Sequence, residues 1–172
     1  MNNMKTALTL VTCLTFVFSM SFNKASAQIE PIPGKLPVYG QITAEGKKVK
    51  EGTVKIYQGN ILWKELETTK KGYFEIGLDL NSHYTFEFET EGMIPKRISM
   101  NTQVEKKNAK PIPFECYIDL VGTDKINGQD ISNLDFPVAI VKYNAKKRLF
   151  EPSLTYTMNM LKEYDRLVMN EE

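Results

Sequence analysis

Between Leu36 and Thr102, apolar and polar positions alternate in short runs broken about every ten residues by turn residues, the pattern of strands in a sandwich or barrel. The first run, residues 38–43, ends at Glu45–Gly46, and the second, residues 53–57, puts Val54 and Ile56 on its inward phase. Gly59–Asn60 is a favoured two-residue hairpin loop. It leads into residues 61–67, where the mix of apolar and charged positions marks no clear inward face. The next two runs are sharper. Phe74, Ile76 and Leu78 share one face, as do Tyr84, Phe86 and Phe88, and these six form the expected core. Lys70–Lys71–Gly72 and Asn81–Ser82 supply turn chemistry between runs, and extension resumes over 97–100. Residues 114–120 form a last strand, with Phe114, Cys116, Ile118 and Leu120 on one phase.

The segments flanking this pattern differ from it. Lys5 precedes an apolar run over residues 7–18, and Ala25–Ser26–Ala27 places small residues where signal peptidase needs them. Residues 1–27 are therefore expected to be a cleaved signal peptide, because the threonine-interrupted run is shorter than the roughly 20 residues of a membrane span. Residues 28–35, with Pro31, Pro33 and Gly34, form a short leader. The sandwich is expected over 36–120 and an extension over 121–172. Within the extension, 121–130 is a loop, and 136–143 is an apolar strand in which Pro137 favours an edge or a strand start. Tyr156, Met160, Leu161, Tyr164, Leu167 and Val168 then recur at helical spacing behind Pro152 and Ser153. That stripe must be buried on its own sandwich or on a partner, which makes Tyr156, Met160, Tyr164 and Leu167 candidate partner-binding residues.

Five blocks carry a family resemblance: residues 40–46, 51–57, 68–76, 84–88 and 91–98, with Gly72 two residues before Phe74 and Tyr84 two before Phe86. Together they resemble the carboxypeptidase regulatory-like, or transthyretin-like, domains of bacterial envelope proteins. The departure is Met93, where that family commonly has tyrosine. The resemblance implies an all-β fold, a prealbumin-like (Ig-like) antiparallel β-sandwich, here with an added C-terminal strand and helix. It also implies an accessory or spacer role in an exported protein.

Charge and candidate chemistry narrow the function. Removing residues 1–27 from the 172 leaves 145, enough for one domain, and takes away two of 22 basic residues and none of 21 acidic ones, for a net charge of −1. No nucleic-acid partner is implied, and no later stretch is long and apolar enough to span a membrane. Cys116 has no internal disulfide partner once Cys13 leaves, and its phase makes it a buried structural residue. His83 is the sole histidine and lies on the outward phase beside Thr85 and Glu87, so it is expected to be a surface residue rather than a general base; any histidine-based catalytic site would have to use this one imidazole, and no zinc cluster of ordinary spacing can be assembled. Read as a calcium loop from Asp124, the chain puts Ile126, Gly128 and Gln129 at positions 3, 5 and 6, which breaks the ligand pattern although Asp135 falls at 12. A transthyretin-related hydrolase is not expected, because that family's Tyr-Arg-Gly-Ser element is missing and its several histidines are reduced to His83. Basic pairs such as Lys47–Lys48 and Lys106–Lys107, and Lys146–Lys147–Arg148, are expected in turns, as solvated charges that protect edges.

The expectation is thus an exported, non-catalytic binding or scaffolding module without a cofactor. The periplasm is its first location, with an extracellular or outer-membrane-associated site as the alternative, and its partner is another envelope protein or a glycan. The alternative function is a carbohydrate-binding module in which Trp63 and Tyr57, beside the Gly59–Asn60 hairpin, form an aromatic platform.

Overall fold

A computed structural model describes residues 34–104, 112–126 and 131–169, with side chains up to 166. The expected signal peptide, most of the leader, the Lys106–Lys107 connector and the end of the 121–130 loop lie outside the described residues. Two sheets pack face to face as an all-β, immunoglobulin-like sandwich. The smaller is built on β1 (Lys35–Ala44), flanked by β5 (Tyr73–Asp79) on one side and β8 (Phe114–Leu120) on the other. A two-residue strand, β2 (Lys47–Lys48), pairs back on the end of β1, so this basic pair lies in a short strand rather than a turn. The larger sheet has the order β10-β9-β7-β6-β3-β4. Its members are β3 (Thr53–Gln58), β4 (Ile61–Glu67), β6 (His83–Glu89), β7 (Lys96–Asn101), β9 (Ala139–Asn144) and β10 (Leu149–Pro152). Pairing is antiparallel except β1 with β8 and β7 with β9, which run parallel.

The alternation read from sequence is the alternation of burial. All six expected core side chains are buried, together with Leu36, Val38, Ile42, Val54, Ile56, Met100 and Val141. Phe74 of the small sheet meets Phe88 of the large one at 5.6 Å between ring centres, which ties the layers together. Burial of each such side chain stabilises the fold by about 1.5–3 kcal/mol relative to exposure. Cys116 is buried among them, and the loss of water pushes its thiol up to about 12, out of the reactive range.

Two glycines permit close approaches that nothing larger allows. At Gly40 a Cβ would lie 1.6 Å from the Cys116 carbonyl oxygen on β8. At Gly72, φ is +79° and a Cβ would meet the Ile42 carbonyl at 2.2 Å.

The C-terminal segment differs from expectation in detail. The apolar run begins its strand at Ala139, not at Pro137, and β9 is an interior strand paired with both β7 and β10. Pro137 is tolerated because it precedes the ladder. Strand β10 was not anticipated; Lys146–Lys147–Arg148 occupy the β9–β10 turn, as expected. The loop after Leu120 contains one 3-10 turn, Thr123–Ile126, and a second, Ser132–Asp135, precedes β9. Helix α1 (Leu154–Met169) lies against β9 and both turns.

Candidate functional site

The residues expected to act split between two faces and a helix. In β4 the register against β3 slips between Ile56 and Tyr57, so Lys64 faces Ile56, Leu62 faces Tyr57 and Trp63 is the extra residue of a bulge. The bulge turns the Trp63 ring onto the buried Tyr84, with ring centres 5.4 Å apart. Tyr57 sits level with Thr85, on the opposite side of the sheet from Tyr84, and its hydroxyl donates to Glu87 Oε1 at 3.4 Å. Trp63 and Tyr57 therefore share no platform.

Along α1, Tyr164 is buried, and Tyr156 and Met160 are half-buried. The Leu167 side chain lies outside the described residues. Lys96, itself buried, donates from Nζ to the Asp119 carbonyl at 2.5 Å and lies 4.5 Å from the centre of the Tyr164 ring. Burial lowers the lysine's pKa, against the pull of Asp119 and Asp165. Burial likewise pushes the Tyr164 phenol up to about 12. The helix is thus packed on its own sandwich. Leu154, Met158 and Leu161 remain exposed on its other side.

The middle of the large sheet's outer face, on β3, β6 and β7, carries a charge network. Arg97 Nε donates to Glu87 Oε2, and Arg97 Nη1 donates to the Asp135 carbonyl at 2.9 Å. Lys55 pairs with Glu89 at 2.6 Å. Burial raises the Glu87 carboxyl, but the Arg97 hydrogen bond, the contact with Glu89 and the charges of Arg97 and Lys55 outweigh it, leaving the group below its ordinary value. His83 is exposed at the start of β6.

The outer face of the small sheet is different, and no reading of single strands picked it out. Register places Tyr73, Gln41 and Tyr117 in one row across β5, β1 and β8, and Glu75, Tyr39 and Glu115 in the next. Tyr73 is 46% and Tyr117 64% exposed. Tyr39 Oη donates to Glu115 Oε1 at 2.7 Å, and Tyr117 Oη donates to Oε2 of the same carboxylate at 3.3 Å. The Tyr39 phenol is raised chiefly by that hydrogen bond, and the Tyr117 phenol chiefly by the charge of Glu115, with Tyr73 adding to it. Gln41 Nε2 donates to the Lys71 carbonyl at 2.7 Å. The result is a sheet face on which three tyrosines alternate with an amide and two carboxylates. The available signal was three tyrosines on the outward phase of three separate strands; only the register joins them.

Among the described residues, no group of three or more His, Cys, Asp or Glu side chains is placed to hold a metal ion, and no helix is long and apolar enough to cross a membrane. Open grooves of roughly 770 and 630 Å³ flank β9 and share Lys142 and Tyr143; Tyr156 lines the second.

No family model matches the chain, and no curated protein matches it either. Similar solved structures include 3-chlorocatechol 1,2-dioxygenase from Rhodococcus opacus 1CP, at 8% identity and a TM-score of 0.40, covering 56% of this chain and 62% of that one. The protein S.CueP matches at 15% identity and a TM-score of 0.37, covering 54% and 66%. A type II cohesin–X-dockerin complex from Acetivibrio cellulolyticus matches at 20% identity and a TM-score of 0.37, covering 51% and 58%. The chain thus spans less than two thirds of the length of each of these chains. The expectation of a chain without catalytic activity is corrected here. Catechol and hydroxyquinol 1,2-dioxygenases also stand among the similar structures, so a sandwich of this kind is no ground for placing the chain outside the enzymes.

Proposed function

We propose that the protein is an exported binding or scaffolding module of the cell envelope that engages its partner through the outer face of the smaller sheet, across β5, β1 and β8. One observation carries this reading: three tyrosines, two of them well exposed, are brought by register onto one sheet face that no described element covers. Aromatic side chains give large contact area with a polar tip, which suits them to surfaces that meet a partner and water in turn. Export is supported by Lys5, the apolar run behind it and Ala25–Ser26–Ala27. The resemblance to carboxypeptidase regulatory-like domains supports the accessory role. The helix is the weaker candidate for recognition, because Tyr156, Met160 and Tyr164 turn toward their own sandwich.

The test has two parts. Protein recovered from an expressing cell should begin at Gln28 and fractionate with the envelope. The double variant Tyr73→Ala/Tyr117→Ala should fold with an unchanged melting temperature and lose that retention. A variant retained as well as the parent sinks the proposed face.

A further inference from the structure

We infer that the occupant of the tyrosine face is a polysaccharide chain free of acidic groups, an inference that rests on the binding role proposed above. The shape is the first ground. Small molecules are held in concave pockets, whereas Tyr73 and Tyr117 flank Gln41 in one row of an open sheet face, two strand spacings or about 10 Å apart. That is on the order of the span of a disaccharide, and Tyr39 lies about 7 Å further along the central strand. A polymer can lie across all three rings at once.

The chemistry of the polar positions is the second ground. Glu75 and Glu115 offer carboxylate oxygens, and Gln41, whose NH₂ is engaged with the Lys71 carbonyl, offers Oε1. Three acceptor groups between aromatic rings suit a ligand rich in hydroxyl donors with apolar C–H faces between them, which describes a pyranose chain. Glu115 is held in place by two tyrosine hydroxyls and needs no reorganisation to receive a donor.

The third ground is what the face lacks. Protein interfaces are depleted of charged residues at their centre, yet Glu75 and Glu115 flank Tyr39 in the middle of this one. Nucleic acids and anionic membranes are held by lysine and arginine, and the two central rows contain neither. The carboxylates also repel acidic polysaccharides.

Affinity electrophoresis of the protein as recovered from the envelope tests this, with hydroxyethylcellulose, xylan and galactomannan as neutral probes and polygalacturonate as the acidic one. At least one neutral probe should retard migration, and polygalacturonate should not. Tyr73→Ala/Tyr117→Ala should weaken the retardation at least tenfold at unchanged melting temperature, and Glu115→Gln should weaken it while keeping both rings. Retardation by none of the neutral probes, or retardation unaltered by the double variant, overturns the inference. Envelope retention separates the two levels. If retention is lost in the double variant while no neutral probe binds the parent, the face binds a protein and only the polysaccharide inference falls; if the variant is still retained, both fall.

Discussion

The two sheets bury the same kind of inner face and present opposite outer ones. On strands β3, β6 and β7 of the large sheet, outward charges are matched by neighbours: Glu87 by Arg97, Arg97 also by Asp135, and Glu89 by Lys55. On the small sheet, the Glu115 carboxylate receives tyrosine hydroxyls, and among the described residues neither it nor Glu75 has a salt-bridge partner. A face whose charges are paired is stabilised within the fold; one whose acceptors and rings stay available has contacts left to make. Substitutions inside and on the two sheets should therefore behave differently.

The largest effect is expected where the small sheet is joined. Gly40→Ala puts a methyl into the Cys116 carbonyl on β8, and a loss of about 4 kcal/mol or more, or no folded protein, should appear in denaturant unfolding. A stability within 1 kcal/mol of the parent would show that the β1–β8 pairing is not as close as described. Next comes Tyr164→Ala, expected to cost about 3 kcal/mol because a buried ring is lost over Lys96. Tyr164→Phe should instead be neutral or slightly stabilising, since its buried hydroxyl has no hydrogen-bond partner among the described residues.

At the edge of the large sheet, Trp63→Ala should lower stability by about 1–2 kcal/mol through the lost contact with Tyr84. A melting temperature left in place would return Trp63 to the list of free surface aromatics. The Glu87 network gives a pH signature. Its folded-state carboxyl lies below the ordinary value, so its contribution is fully present above the unfolded-state pKa of about 4.3 and fades as pH falls through the folded-state value. Arg97→Met should flatten that acid limb; parallel pH curves for parent and variant would remove Glu87–Arg97 as its source. The smallest effect is expected on the bare face, where Tyr117→Ala should change stability by no more than about 0.5 kcal/mol.

Most of the fold was legible because one-sided burial leaves a period of two in the chain. The runs carrying Phe74, Ile76 and Leu78 and Tyr84, Phe86 and Phe88 say which side is inside before any partner is known. Strand β10 left no such mark: four residues ending in Pro152 are too few to show alternation. Trp63 was misleading for a related reason, since a bulge resets the phase and nothing in residues 61–67 announces it. The tyrosine face was invisible because its members are 34 and 44 residues apart along the chain, at 39, 73 and 117, and each looks like the ordinary polar neighbour of a core residue. Pairing in space, not spacing in sequence, makes them a surface.

The parallel contact between β1 and β8 joins residues 76 positions apart, such as Tyr39 and Glu115. The strand at the centre of the small sheet is thus among the first of the sandwich to be synthesised and must wait for residue 120 before its second neighbour exists. Long-range pairings of this kind slow folding. Until then the edge of β1 that β8 will cover stays without its partner.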